Sequence, residues 1–366
     1  MPVTIRDVAK VSGVSVKTVS RVLNDEPWVH GDTRARVEKA IGDLNFYPNP
    51  LARGLSASRM RALGLIVPDI ANPFFAQVID GCATISEQHG YNLFLSSGGD
   101  APGRVAAHLQ ALLSHRVSGL ILWVSDLTDV ALHDTMQRMK YSCPAVFIDQ
   151  PFDPESLIRM GYAATGVAQQ DVGALATEHL LAEGRRRIAH IGLFGVGAGQ
   201  WVGDQRLEGY RRVLGAHHEP VDDRRIHRVT HATIREGAHA MRALLAQHPQ
   251  PDGLFAFNDL IAVGALLACR QAHLRVPEDI AIVGVDDTDI AAVTEPPLTT
   301  IRLYQRQTGE RAAEMLFGLM QTDAGSSSPV AVADSAPPAP ELVVRRSSTL
   351  RSVPSTSLDD FLGEES

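Results

Sequence analysis

The chain has 366 residues, room for more than one domain, and its 45% apolar and 21% charged residues are ordinary for a folded soluble protein. The net charge of −8 hides an asymmetry: residues 1–61 hold ten Lys and Arg against six Asp and Glu, while the rest hold 24 against 36. A small basic head therefore precedes an acidic body, a pattern of a nucleic-acid reader joined to a second function. The absence of a long apolar run argues against a signal peptide or a membrane helix. Cys82, Cys143 and Cys269 are scattered, odd in number and lack metal spacing, so they read as reduced core thiols of a cytoplasmic protein.

The first 45 residues predict three short helices. Thr4 with Asp7 three residues on forms a capping box with a shortened acid, and Ile5, Val8 and Ala9 share one helical face. Gly13 supplies a tight corner, Ser15 caps a second helix, and Val19, Val22 and Leu23 of that helix point back at the first. Asp32 or Thr33 opens a third helix whose Val37, Ile41 and Leu44 keep the same period. Two short helices joined by a glycine turn over a shared apolar seam are a helix-turn-helix. Lys17 and Arg21, four apart, project from the free side of the second helix beside Val16. These three are the expected base readers: the cations suit guanine O6 and N7, and valine meets a thymine methyl. Thr4, Ser15, Thr18, Ser20, Asn24 and Thr33 are short donors fitted to phosphate oxygens. Lys and Arg occur on any solvated helix; the turn, the caps and all three helices together decide for double-stranded DNA.

The segment NFYPNPLARGL follows, at Asn45 to Leu55. With TIRDVAKVSGVSVKTVSRVLN before it and ALGLIVPDIANPFF after it, the chain resembles the LacI/GalR family of transcriptional repressors, over nearly its whole length to about Ser348. The resemblance implies a hinge helix near Pro50 to Ala57 that orders only when two chains sit side by side on operator DNA. Leu55 would then wedge into the minor groove, flanked by Ala52 and Arg53. Apolar wedges unstack and kink a duplex, and Pro50 and Gly54 make the segment a poor helix in isolation.

Beyond the hinge, strand and helix alternate. Apolar runs at Leu63–Val67, Tyr91–Leu95, Gly119–Val124 and Ala145–Asp149 predict parallel strands, separated by helices over Phe74–His89, Arg104–His115 and Val130–Met139. The rhythm restarts with strands near Arg187–Leu193, Ile226–Val229, Gly253–Phe257 and Ile280–Val285 and helices near Val172–Ala182, Gln205–Leu214, Ile234–Gln247 and Leu260–Ala272. The fold class is α/β: an all-α DNA-binding domain (1–48), a hinge (49–61) and a body (62–348) of two doubly wound parallel sheets. By resemblance the body is like periplasmic sugar-binding proteins, with lobes at about 62–159 plus 291–320 and 160–290 plus 321–348. The crossings are expected near Leu157–Gly161, Asp289–Thr294 and Met320–Thr322. Gln321 to Pro340, rich in Ser, Ala, Pro and Gly, reads as a surface insertion, and 349–366 as a tail without the heptads of a tetramerising coil.

Ligands of doubly wound folds bind beyond the C-terminal strand ends. Asp69 and Asn72, Asp149, Asn258-Asp259 and Asp286-Asp287 fall at such ends, and Arg206 at a helix start. The resemblance implies that Arg206, Asn258 and Asp286 contact the effector, with Asp149 a fourth, while Phe74 and Phe75 stack on it, one of the pair serving the core. Carboxylates, an amide and a guanidinium can share out the donors and acceptors of several hydroxyls. Asn258-Asp259 also reads as a helix cap, with Asp259 as the capping residue. Trp123 and Trp201 are candidate sugar platforms. Two departures from the family pattern stand out: Gln169-Gln170 in place of Asp-Asn, and Leu303 in place of a glutamine. The Gly195-x-Gly197-x-Gly199 run lacks the spacing of a dinucleotide loop, and neither HExxH nor GxSxG occurs.

The sequence therefore points to a DNA-binding repressor, not an enzyme, without metal or cofactor. It is expected to bind a palindromic operator as a homodimer, under control of a carbohydrate effector that sets the lobe angle and acts as an inducer. A purine-type co-repressor, an activator, and a cytoplasmic enzyme on the same body are the alternative readings.

Overall fold

The computed structural model describes residues 3–23, 26–46, 60–98, 103–123, 130–139, 142–149, 162–194, 200–247, 249–321 and 338–351. Two compact units are present, 1–60 and 61–366. In the first, helices α1 (Ile5–Ser12), α2 (Val16–Leu23) and α3 (Gly31–Asp43) enclose a core of Val8, Ala9, Val19, Val22, Val37, Ala40 and Phe46. Gly13 turns the chain at φ 65°, a conformation that costs a side-chain-bearing residue. The Thr4 N–H donates to Asp7 Oδ2 at 2.8 Å, which holds the exposed Asp7 carboxyl below its ordinary value, the Thr4 hydroxyl being the larger cause. α3 opens at Gly31, with His30 rather than Asp32 or Thr33 at its boundary.

In the second unit, β1 (Ala62–Val67), β2 (Asn92–Ser97), β3 (Gly119–Leu122), β4 (Ala145–Ile148) and β5 (Ala163–Thr165) form a parallel sheet in the order β2-β1-β3-β4-β5. Every residue of β1 is buried, as its unbroken apolar run demands of a central strand, whereas edge strand β2 is half-exposed. Helices α4 (Pro73–Gln88), α5 (Arg104–Ser114) and α6 (Val130–Met139) connect these strands. A second parallel sheet follows, in the order β7-β6-β8-β9. Its strands are β6 (Ile188–Leu193), β7 (Ile226–Val229), β8 (Gly253–Ala256) and β9 (Ala281–Val283), threaded by α7 (Gln169–Ala182), α8 (Gln200–Ala216), α9 (Ile234–Leu245) and α10 (Asp259–Gln271). After α11 (Asp289–Val293), strand β10 (Thr300–Arg302) leads to α12 (Gln305–Gln321), which packs on α4, and β11 (Glu341–Val343) returns antiparallel to β10.

Two expected boundaries move. β5 pairs with β4, so the first sheet runs to Thr165 and does not end at 159. Leu298 and Ala291 belong to the apolar core of the second sheet, so the crossing expected near Asp289–Thr294 falls later, at β10. The residues expected to make the first crossing, Leu157–Gly161, precede β5, so that crossing falls after Thr165; those residues, most of the Gln321–Pro340 insertion and most of the tail lie outside the described residues.

Three helix pairs cross on reciprocal glycines. A Cβ on Gly81 would strike the Arg306 carbonyl and one on Gly309 the Val78 carbonyl; Gly173 faces the Arg206 carbonyl and Gly209 that of Gln170; Gly237 faces Ile261 and Gly264 faces Ile234. Each pair lets two backbones approach directly, and the middle one brings α7 against α8 at Arg206. We expect Gly209→Ala to lower stability by about 1–3 kcal/mol through overpacking. Gly215→Ala, in the same helix but facing open space, should raise it by about 0.5–1 kcal/mol. Urea midpoints of the two variants check the contrast.

Candidate functional site

Two surfaces carry the residues singled out from the sequence, one in each unit. On the first, Val16, Lys17 and Arg21 of α2 are all exposed, opposite the buried Val19 and Val22. Arg21 Nε lies 3.5 Å from Glu26. The Ser15 hydroxyl accepts from the Thr18 N–H at 3.1 Å and pairs with the Thr18 hydroxyl at 2.9 Å, so Ser15 and Thr18 are engaged with each other in the cap of α2. The Thr4 hydroxyl donates to Asp7, and Ser20 and Thr33 are half-buried. Trp28, 87% exposed in the turn before α3, is an apolar surface residue to which the helical periodicity gave no pointer. Asn24 and the hinge residues Ala52, Arg53 and Leu55 lie outside the described residues.

In the second unit, a cavity of about 410 Å³ opens beyond the C-terminal ends of both parallel sheets. One wall comes from the first sheet: Asn72, Phe74, Phe75, Ser97, Trp123 and Asp149. The other comes from the second: Thr230, His231, Thr233, Asn258 and Asp286, with Arg206 reaching in from α8. All seven residues expected at the ligand site, Asn72, Phe74, Phe75, Asp149, Arg206, Asn258 and Asp286, thus line one cavity. Helix caps recur in its rim. Asn72, Thr233 and Asn258 accept from Phe74, Glu236 and Ile261 N–H groups at 3.1, 3.2 and 3.0 Å. The capping residue of α10 is therefore Asn258 and not Asp259. The Asp259 carboxylate turns away, accepting from the Thr288 N–H, the Thr288 hydroxyl and the Thr300 hydroxyl at 2.6–2.9 Å.

Phe74, Phe75 and Trp123 meet edge to face, with ring centroids 5.0–5.3 Å apart, and make the apolar wall. Both phenylalanines are buried and both line the cavity, so neither is core alone. Trp201 is half-buried against the second core and is not part of the lining. Leu303 is buried in the main core and likewise does not reach the cavity.

Arg206 stands in the second turn of α8, not at its start, and is 3% exposed. Its Nε donates to Gln169 Oε1 at 2.9 Å, its Nη1 donates to the Phe257 carbonyl, and its guanidinium covers the Phe257 ring at 4.6 Å. The Gln169 amide in turn donates to Asp149 Oδ2 at 3.0 Å, while Asp149 Oδ1 accepts from the Val167 N–H at 2.8 Å. Gln169 thereby relays between the carboxylate of one sheet and the guanidinium of the other. The sequence flagged Gln169-Gln170 only as a departure; the relay itself depends on the glycine contact between α7 and α8.

Three buried carboxyls surround one guanidinium, and desolvation governs them all. Burial pushes Asp149 up to about 6, against the pull of Val167, Arg206 and Gln169. It pushes Asp259 up to about 7, against its threonine hydrogen bonds. Asp286 is raised well above the carboxylate range, by burial first and by repulsion from Asp259, with Arg206 and Asn258 opposing. Arg206 is lowered by burial, offset by Asp286, Asp149 and Asp259. Asn258 Nδ2 lies near enough to Asp286 to favour its charged form, yet it is buried without a hydrogen bond of normal geometry.

The chain matches the family "Bacterial regulatory proteins, lacI family" over residues 4–49 and the "Periplasmic binding protein-like domain" over residues 177–348. It is 35% identical to the ribose operon repressor of Escherichia coli (strain K12) over 317 residues, 86% of this chain and 92% of the relative. It is 33% identical over 324 residues to the HTH-type transcriptional repressor PurR of Aliivibrio fischeri, covering 86% of this chain and 90% of that protein. Among solved structures, the lac repressor dimer bound to operator and the anti-inducer ONPF superposes with a TM-score of 0.79 at 27% identity, over 95% of this chain and 99% of that one. The transcriptional regulator CelR–cellobiose complex gives 0.68 at 29%, over 94% and 99%.

A raised folded-state pKa contributes stability that is complete below the unfolded value, near 4, and is lost as pH rises through the folded value. Asp149 loses its contribution through about pH 6. Buried His190, pushed down to about 4 by desolvation, acts in the opposite sense, so the comparison is with the wild type and not in absolute terms. Between pH 5 and pH 8 the melting temperature of Asp149→Asn should rise relative to that of the wild type; a constant difference would mean that Asp149 stays ionised throughout.

Proposed function

The chain belongs to the lacI family of bacterial regulatory proteins, and from that premise we propose that its effector is a small polyol, a sugar or sugar derivative, held between the two sheets of the body. The chain is a sequence-specific DNA-binding repressor under small-molecule control. The observation that carries the choice of ligand is the pairing at the cavity floor. Asp286 offers a buried carboxyl, and beside it Asn258 Nδ2 is buried without a hydrogen bond of normal geometry. One hydroxyl can donate to the first and accept from the second, and leaving a buried amide unmatched costs about 1–3 kcal/mol. Asp149 and Arg206 supply further polar partners, and Phe74, Phe75 and Trp123 give the apolar face on which a sugar ring rests. The same aromatic wall would accept a flat nucleobase, which is the second reading.

Val16, Lys17 and Arg21 are the proposed base readers, on a pseudo-palindromic duplex bound by a homodimer. Their shared exposure on the face of α2 away from the core supports this. Thr4, Ser15, Thr18, Ser20, Asn24 and Thr33 are proposed to meet phosphates, and Ala52, Arg53 and Leu55 the minor groove. Induction is the proposed direction of control: sugar in the cavity weakens operator binding.

Selection from a random duplex library, followed by footprinting, identifies the bound sequence; protection of a lone asymmetric half-site would rule out the dimer. Arg21→Ala should lose about 1–3 kcal/mol on the selected duplex and less on random DNA, and equal losses would reduce Arg21 to a phosphate contact. For the cavity, thermal shift and duplex titration with D-ribose, cellobiose and hypoxanthine test the ligand class. A shift by hypoxanthine alone would favour the nucleobase reading. Asp286→Asn should remove the shift given by the active compound, and a full response in that variant would show that the cavity floor is not the site.

A further inference from the structure

We propose that Asp287 is a positioning residue that couples occupancy of the cavity to the crossover strands β10 and β11. This rests on the cavity being the effector site. Asp287 does not line the cavity; its neighbour Asp286 does. The Asp287 carboxylate is 7% exposed and spans two guanidinium groups: Oδ2 accepts from Arg302 Nε at 2.8 Å and Oδ1 from Arg345 Nη2 at 2.7 Å. Arg302 is the last residue of β10, and Arg345 lies two residues beyond β11. Arg345 is itself fixed, its N–H donating to the Thr299 hydroxyl at 2.8 Å and its Nη1 to the Leu298 carbonyl at 3.0 Å.

The backbone of the same two residues points to the same strand. The Asp286 N–H donates to the Ile301 carbonyl at 2.9 Å, the Asp287 N–H donates to the Thr300 hydroxyl at 3.2 Å, and Gln305 at the start of α12 donates to the Asp286 carbonyl. Asp286 has φ 113° and Asp287 φ 51°. Two consecutive non-glycine residues in this region persist only where their surroundings fix them. Here the fixing comes from β10 and from the chain after β11. The conformation that presents the Asp286 carboxylate to the cavity is therefore maintained by the strands through which the chain passes between the sheets. A buried carboxylate shared by two arginines seldom adds net stability over an apolar packing; what it specifies is geometry.

The test uses the full chain, the selected duplex, and whichever of D-ribose, cellobiose and hypoxanthine changes duplex binding by the wild type. Asp287→Asn keeps the shape and tolerates φ 51° but halves the clamp. It should bind the duplex without added compound as the wild type does, and still bind the compound, at higher concentration. At saturation, however, the fold-change in duplex affinity should fall to less than a tenth of the wild-type value. Arg345→Lys keeps the charge but loses the two-pronged geometry, so it should show the same loss, and the double variant should be no worse than either single one. An unchanged fold-change at saturation in both variants, with only melting temperatures lowered, would make Asp287 a structural brace and overturn the proposal. If the wild type responds and Asp286→Asn does not, while Asp287→Asn responds fully, this inference alone fails. If none of the three compounds affects the wild type, the ligand reading fails and this one with it.

Discussion

The body is organised around one buried cation. A guanidinium 3% exposed has lost nearly all its hydration, and such a loss is offset only when donors are matched and opposite charge is near. Arg206 meets both conditions through partners on separate elements: Gln169 at the start of α7, Phe257 at the end of β8, and the fields of Asp149, Asp259 and Asp286. Burial raises each of the three carboxyls around it, with Arg206 opposing at Asp149 and Asp286. The polar lining of the cavity retains hydrogen-bonding capacity for a ligand at Asn258 Nδ2.

That arrangement depends on backbone proximity that no polar contact could produce alone. Gly173 and Gly209 let α7 and α8 touch at Arg206 and Gln170. With a methyl at either position the helices would separate, and the Gln169 relay, built on hydrogen bonds of 2.9 and 3.0 Å, would open. The same device at α4 with α12 and at α9 with α10 makes the body stiff within each half. The strands joining the two halves, β10 and β11, form a small sheet of their own.

Much of this was legible in the sequence where the signal is local and periodic. The three-helix core follows from apolar spacing and Gly13, and Asn72, Asp149, Asn258 and Asp286 follow from their places at strand ends, whereas Phe74, Phe75 and Arg206, which sit on helices, were reached through the family resemblance. Interactions that depend on distant partners were not legible. Asn258 and Asp259 are adjacent and both can cap; only the Thr288 and Thr300 hydroxyls, brought in from after β9, draw Asp259 away and leave Asn258 as the cap. The short β5 gave too few residues for a periodic signal, so its membership of the first sheet could not be read. The glycine crossings are spaced like any helix glycine and disclose themselves only in packing.

The geometry also bounds how strongly a ligand can act. A ligand shifts a conformational balance only by the difference in its affinity for the two states. Moving a protein from 99:1 to 1:99 takes about 5.5 kcal/mol of such difference. Hydrogen bonds to charged groups contribute about 1.5–3 kcal/mol each, so two to four that form in only one lobe arrangement suffice. Acidic groups that could supply them stand on opposite walls, Asp149 on one and Asp286 on the other, with the neutral amides of Asn72 and Asn258 beside them. A ligand held by one wall alone would bind without consequence. A ligand must span both to be sensed, and a polyol with hydroxyls directed to both sides of its ring is a small molecule able to do so.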